Sequence, residues 1–155
     1  MTPKLNKARH SPPLRHRDRL AAILRMACEL TGLNEAPGIL QFVLLGQDDI
    51  IHMNQTFLGH EGATDVITFD LRPTDRQPEE DEVCGEIYVC PEVAVAAAAK
   101  YGTTPSRELV LYLVHGMLHL SGYDDIEPED IPNMRAAEAR VLAALEKRHS
   151  LEGFI

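Results

Sequence analysis

Residues 114–125 read Val-His-Gly-Met-Leu-His-Leu-Ser-Gly-Tyr-Asp-Asp, and they follow an apolar run that opens with Thr104 and Pro105. A capping threonine before a proline predicts a helix start there, and the helix extends to about Leu120. Residues four apart on a helix differ by about 40° around the axis and about 6 Å along it. His115 and His119 can therefore direct both imidazoles at one metal ion.

A third ligand is predicted from the turn that follows this helix. Gly122 can adopt the left-handed conformation that ends a helix and reverses the chain. Asp125 then reaches the same ion from another side. Two imidazoles, one carboxylate and a fourth position left to water are typical of catalytic zinc. The alternative is that both histidines are partly buried helix residues and that Asp124 and Asp125 only solvate a loop, but the full spacing favours a metal.

The residue after the first histidine decides between two kinds of hydrolase. Zinc proteases of the metzincin type place a glutamate there as general base, whereas this chain has Gly116. Glycine cannot accept a proton, so peptide hydrolysis by that route loses its base. A phosphodiester substrate tolerates the loss, since a metal can polarise a phosphoryl oxygen and generate hydroxide. A zinc-bound water is the expected nucleophile, and the sequence assigns no general base.

The remaining pattern predicts an α+β fold, a small mixed sheet packed with about five helices. The zinc site lies at the end of a central helix. Apolar residues with helical spacing follow Asp18 and predict a first helix, which ends at Gly32. Short β-rich runs bounded by turn residues predict strands. The predicted strands are 39–45, 66–71 and 83–90, and the other helices begin near Ile50, Pro91 and Pro132.

Domain organisation follows from length and charge. The chain has 155 residues, enough for one domain with its own core. Residues 1–16 contain three prolines and few large apolar side chains, so they are expected to form a flexible basic arm before a single domain at 17–155. Residues 1–25 hold seven Lys or Arg and one acid, whereas the whole chain has a net charge of −9. A basic arm on an acidic body suits a polyanionic partner, and the alternative is a segment that only increases solubility.

Composition narrows the class of protein further. Apolar residues make up 45% and charged residues 25%, which is ordinary for a globular protein. The apolar runs are too short to cross a bilayer, and no secretory signal is evident, so we expect a cytoplasmic protein without a membrane partner. Three cysteines without C-x-x-C spacing argue against a disulfide framework and a thiolate zinc site.

Four stretches read H-G-M-L-H-L-S-G-Y-D-D (115–125), M-N-Q-T-F (53–57), A-T-D-V-I-T-F (63–69) and C-G-E-I-Y-V (84–89). Together they resemble the YbeY family of bacterial endoribonucleases. Residues 115–125 are similar to the family signature H-G-x-L-H-L-x-G-Y-D-H in all but the last position. Residues 53–57 and 63–69 resemble the blocks L-N-x-x-[YF]-R and T-[DN]-V-L-S-F, and residues 84–89 resemble the strand L-G-D-I-x-I. The resemblance spans roughly residues 20–148 in consistent order.

The resemblance implies a zinc-dependent, single-strand-specific endoribonuclease in ribosomal RNA processing, with one Zn²⁺ per chain held by His115, His119 and Asp125. Its expected partners are ribosomal RNA precursor and the small ribosomal subunit. Its expected roles are maturation of the 3′ end of small-subunit ribosomal RNA and ribosome quality control. Two positions depart from the family. Asp125 replaces the usual histidine, and Leu58 replaces an arginine expected to hold RNA phosphate.

The sequence also offers candidate residues for substrate contact. Asn54 and Thr64 can line the cleft, although each can equally be a helix cap or a packing group. With Leu58 in place of arginine, Arg72, Arg76, Lys100 or the basic arm would have to contact phosphate. The alternatives are a ribosome assembly factor with weak or lost nuclease activity, and a metallohydrolase of another substrate.

Overall fold

A computed structural model describes residues 1–8, 10–58 and 66–155, with the backbone but not the side chain of Leu58. The strands are β1 (Thr2–Lys7), β2 (Ile39–Leu44), β3 (Val66–Asp70) and β4 (Val83–Val89). The α-helices are α1 (Arg17–Thr31), α2 (Gln47–Met53), α3 (Pro91–Tyr101), α4 (Pro105–Leu120) and α5 (Asp130–Glu146). A 3-10 turn at Leu33–Glu35 precedes β2, and a π-helical segment at Asn54–Leu58 continues α2.

The four described strands form one mixed sheet in the order β1-β2-β4-β3. β1, β2 and β4 are parallel, and β3 runs antiparallel to β4 at the edge. A strand buried on both faces has a nearly continuous apolar sequence, as Ile39–Leu44 does. The predicted α+β class, with a small mixed sheet and about five helices, is confirmed.

The prediction of a flexible arm over residues 1–16 is wrong for its first half. Thr2–Lys7 forms β1, which pairs with β2 from Thr2 opposite Ile39 to Lys7 opposite Leu44. Met1, Pro3 and Leu5 alternate with polar residues, which is a strand pattern, but the pattern is short and contains a proline. Lysines on an edge strand also discourage pairing with other chains, which gives Lys4 and Lys7 a role that needs no nucleic acid.

Helix α4 is the central helix. Thr104 caps it, accepting a hydrogen bond from the Arg107 backbone N–H at 3.3 Å, and Pro105 occupies its first turn. Most of its residues are buried against the sheet and the helices α3 and α5. None of the helices in the described ranges has the length and hydropathy needed to span a bilayer.

Two helix starts differ from prediction by a few residues. α2 begins at Gln47, three residues before Ile50. α5 begins at Asp130, two residues before Pro132. The backbone N–H groups in the first turn of a helix have no acceptor within the helix, so proline is tolerated anywhere in that turn. A proline therefore marks the start of a helix only approximately.

Candidate metal centre

His115 and His119 lie one turn apart on the last two turns of α4. Their Nε2 atoms are 2.9 Å apart, and the ring planes are nearly perpendicular at 86°. The α-helical spacing predicted from the sequence therefore brings both imidazoles to one point. The side chains of His115 and His119 are 12% and 28% exposed, so the point is reachable from solvent.

The turn after α4 returns Asp125 to the same point. Gly122 has φ +105°, a conformation that glycine adopts without strain, and its N–H donates to the His119 carbonyl at 3.1 Å. Asp125 Oδ2 lies 3.2 Å from His115 Nε2, and Asp125 Oδ1 lies 3.6 Å from His119 Nε2. One ligand atom from each of the three residues lies within 4.8 Å of the others.

Asp124 has a different place in this turn. Its Oδ1 accepts a hydrogen bond from the Asp125 backbone N–H at 2.8 Å, and the residue is exposed. An aspartate that bonds to the following backbone stabilises a local turn. Of the two neighbouring carboxylates, Asp125 is the one that approaches the imidazoles.

The backbone of the turn also fixes the ring of His119. Its Nδ1 lies 3.1 Å from the carbonyl oxygen of Tyr123. A carbonyl only accepts, so Nδ1 carries the hydrogen and donates it. The lone pair of the neutral ring is then on Nε2, the atom that faces His115 and Asp125.

Glu138 does the same for His115 from another helix. Its Oε2 lies 3.3 Å from His115 Nδ1, and Arg135 Nη1 donates to both carboxylate oxygens at 2.7 and 3.1 Å. The Glu138 side chain is 4% exposed. Burial by itself raises the pKa of Glu138, but hydrogen bonds from His115 and Arg135 outweigh it and bring the pKa below its ordinary value. Glu138 therefore stays a carboxylate that accepts from Nδ1.

Glu138 was not among the residues singled out from the sequence. The available signal was its position on α5, between Met134 and Val141 on the buried stripe of the helix. A glutamate is almost never fully buried unless it is paired. A charged residue on an otherwise apolar stripe therefore indicates a buried partner, although it does not identify His115.

The donor atoms suit zinc. Two imidazole nitrogens with lone pairs directed inward and one carboxylate oxygen make a three-ligand set with room for a fourth. Hydrogen bonds from the remote ring nitrogens to a carboxylate and a carbonyl are the usual support for metal-binding histidines. The predicted residues, with Glu138 and the Tyr123 carbonyl, therefore fit a catalytic metal site.

Gly116 is required by packing. A Cβ atom at this position would lie 2.9 Å from Ile87 Cγ2 and 2.9 Å from Thr68 Oγ1. Ile87 is fully buried on β4, so it has little freedom to move away. The glutamate of a metzincin cannot occupy this site without separating α4 from the sheet.

The other predicted contact residues are placed as follows. Asn54 begins the π-helical segment after α2 and is 4% exposed. Thr64 lies outside the described residues. Arg72 binds both carboxylate oxygens of Asp70 at 2.9 and 2.6 Å and donates to the Leu120 carbonyl at 2.9 Å. Arg76 forms a two-point pair with Glu82 at 2.8 and 2.7 Å. Both guanidinium groups are thus engaged within the protein.

The fold and the site together define a class: an α+β protein with a candidate open metal centre, made by two histidines of one helix and an aspartate of the next turn. A sequence model of the family described as Endoribonuclease YbeY matches residues 5–146. The chain belongs to the endoribonuclease YbeY family, as the sequence motifs predicted.

Individual relatives agree with this assignment. A protein of Salinispora tropica named Endoribonuclease YbeY is 36% identical over 142 residues, which cover 86% of this chain and 90% of that protein. One of Roseiflexus sp. with the same name is 37% identical over 133 residues, covering 81% and 83%. The solution structure of TM1509 from Thermotoga maritima aligns with a TM-score of 0.63 and 25% identity, over 94% of this chain and 89% of that one.

Proposed function

We propose that this protein is a zinc-dependent, single-strand-specific endoribonuclease that processes ribosomal RNA. Its expected tasks are maturation of the small-subunit RNA 3′ end and ribosome quality control, in association with the small subunit. The observation that carries the proposal is the meeting of His115, His119 and Asp125 within 4.8 Å in a chain of the endoribonuclease YbeY family. The cytoplasmic location inferred from the sequence stays a prediction.

His115, His119 and Asp125 would hold one Zn²⁺. When bound there, zinc would polarise a phosphoryl oxygen and make a coordinated water acidic enough to act as nucleophile near neutral pH. Glu138 and the Tyr123 carbonyl hold the hydrogen on each Nδ1, so both Nε2 atoms face the centre. The carboxylate of Asp125 adds a negative charge that the usual family histidine would not, and this charge lowers the Lewis acidity of the site.

Three features support RNA over peptide as substrate. Gly116 leaves no general base beside His115, and the packing of Ile87 excludes a glutamate there. Phosphodiester hydrolysis depends less on such a base than peptide hydrolysis does. The third feature is the name of the relatives, Endoribonuclease YbeY, which indicates an RNA substrate. Asn54 and Thr64 stay predicted substrate contacts.

The experiment compares one RNA in two forms. Zinc-loaded protein is incubated with a single-stranded oligonucleotide that spans the 3′ end of small-subunit precursor RNA, and with the same strand annealed to its complement. We expect internal cleavage of the single strand and little cleavage of the duplex. His119→Ala is the negative control for a contaminating nuclease. Equal cleavage by wild type and His119→Ala, or none by either, would overturn the proposal.

A further inference from the structure

A groove of about 630 Å³ is lined by residues of α3, α4 and α5. We call it the α3–α5 groove, because α3 and α5 form its walls and α4 forms its floor. The floor residues are Glu108, Leu111 and Tyr112, and the polar wall residues are Lys100, Tyr101 and Arg135.

The α3–α5 groove and the two histidines share one face of α4. Leu111 and Tyr112 are four and three positions before His115, and residues at these spacings share a helix face. Arg135 links the groove wall to the metal centre by contact, because it donates to Glu138, which in turn contacts His115 Nδ1. An RNA strand that occupies the groove therefore lies on the same face of α4 as the two histidines.

The wall from α3 has the chemistry that binds single strands. The ring of Tyr101 is 66% exposed at the end of α3, so its face is accessible to a base. Lys100 Nζ lies 5.2 Å from the centre of that ring. Proteins that bind single-stranded nucleic acid combine aromatic rings that stack on bases with cations that contact the backbone.

The acidic groups of the groove are already engaged within the protein. Glu108 is 5% exposed and accepts a hydrogen bond from Thr103 Oγ1 at 2.5 Å. Glu138 is bound by Arg135 and His115. Lys100, by contrast, forms no ion pair with any carboxylate in the described part of the chain. Its ammonium group is available to a phosphate.

We propose that the α3–α5 groove binds the single-stranded RNA segment adjacent to the cleaved bond, with Tyr101 stacked on a base and Lys100 on a phosphate. This inference rests on the proposed endoribonuclease function. Lys100 would contact the RNA backbone in place of the arginine that the family has at position 58, where this chain has leucine. Arg72 and Arg76 cannot take this role without leaving Asp70 and Glu82.

The test uses zinc-loaded protein and a fluorescein-labelled single-stranded RNA, with binding followed by stopped-flow anisotropy before turnover. Tyr101→Ala should weaken binding about 5- to 100-fold, whereas Tyr101→Phe should stay within about twofold because the ring still stacks. Lys100→Gln should reduce the slope of log affinity against log salt by about 0.7, the value for one phosphate contact on a single strand. Lys147→Gln, an exposed lysine at the end of α5, is the matched control and should leave binding unchanged.

Thermal unfolding and zinc content of each variant establish that only RNA binding changed. If wild type cleaves the RNA but Tyr101→Ala and Lys100→Gln bind it like wild type, the groove proposal is overturned and the proposed function stands. If wild type neither binds nor cleaves single-stranded RNA, both fail. Equal weakening by Tyr101→Ala and Tyr101→Phe would also contradict stacking.

Discussion

Oε2 of Glu138 lies 3.3 Å from Nδ1 of His115, and this buried contact determines which ring nitrogen of His115 faces Asp125. The contact joins α5 to α4 over 23 residues of sequence. A metal centre that depends on two neighbouring histidines thus also depends on a helix that supplies no ligand.

The first prediction concerns this contact. Glu138→Ala should lower zinc affinity about 10- to 100-fold, because carboxylates that orient metal-binding histidines typically contribute that much. Glu138→Gln keeps an acceptor oxygen and should lose less. Zinc affinity is measured by competition with a chromogenic chelator.

A matched control is available on the same helix. Glu146 pairs with Arg107 at the surface at 3.0 Å, so Glu146→Gln removes a glutamate without touching the centre. Zinc affinity that is unchanged in Glu138→Ala would show that Glu138 does not position His115.

A second prediction concerns His119. His119→Ala should remove tightly bound zinc and abolish the rise in Tm that zinc gives the wild type, because a ligand that binds only the folded state stabilises it by mass action. Elemental analysis and thermal unfolding with and without zinc measure both effects. His52→Ala, at an exposed position on α2, should behave like wild type. A zinc-dependent Tm shift that survives in His119→Ala would exclude this residue as a ligand.

The third prediction separates the two adjacent aspartates. Asp125→Ala should weaken zinc binding, and Asp125→His should retain it, because histidine is the residue that the family signature has there. Asp124→Ala should have a smaller effect, since Asp124 only accepts from the backbone of Asp125. Zinc titration of the three variants ranks them. Weaker zinc binding in Asp124→Ala than in Asp125→Ala would reverse the assignment.

The fourth prediction concerns Gly116. Gly116→Ala should lower the free energy of unfolding by about 1 to 3 kcal/mol, the usual cost of adding a methyl group to a packed interior. The added Cβ would meet Ile87 and Thr68 at 2.9 Å. Urea unfolding of the metal-free protein measures the loss without a contribution from zinc. Stability equal to wild type would mean that α4 can move from the sheet at no cost.

The fifth prediction tests the position where this chain departs from the family. Leu58→Arg should lower KM for single-stranded RNA about tenfold, the size of one added charged hydrogen bond to phosphate. Zinc content should not change. Initial rates at two salt concentrations separate a phosphate contact, which weakens with salt, from a change in the catalytic step. A KM that does not respond would place Leu58 away from the RNA.

The sequence predicts most of the site because the site is local. His115, His119 and Asp125 lie within 11 consecutive residues, and helical geometry with one glycine turn brings them together. Glu138 could not be assigned in this way, since its contact with His115 depends on how α5 packs on α4. The same holds for the α3–α5 groove, whose walls come from separate helices.

The sheet shows the same limit. β2 is an apolar run and β4 is rich in β-branched and aromatic residues, so both strands could be predicted from sequence. β1 is held by backbone hydrogen bonds to β2, and its Pro3 and Leu5 are half-buried. A short edge strand with several polar residues resembles a flexible arm in sequence, because the sequence does not show the neighbouring strand with which it pairs.

The central claim is that one zinc at His115, His119 and Asp125 supports RNA cleavage. The most direct test titrates Zn²⁺ into chelator-stripped protein and follows the rate of single-stranded RNA cleavage. We predict no cleavage without metal and a rate that rises linearly and stops at one zinc per chain. A stripped protein that cleaves at the full rate, or a zinc-saturated protein that does not cleave, would contradict the account.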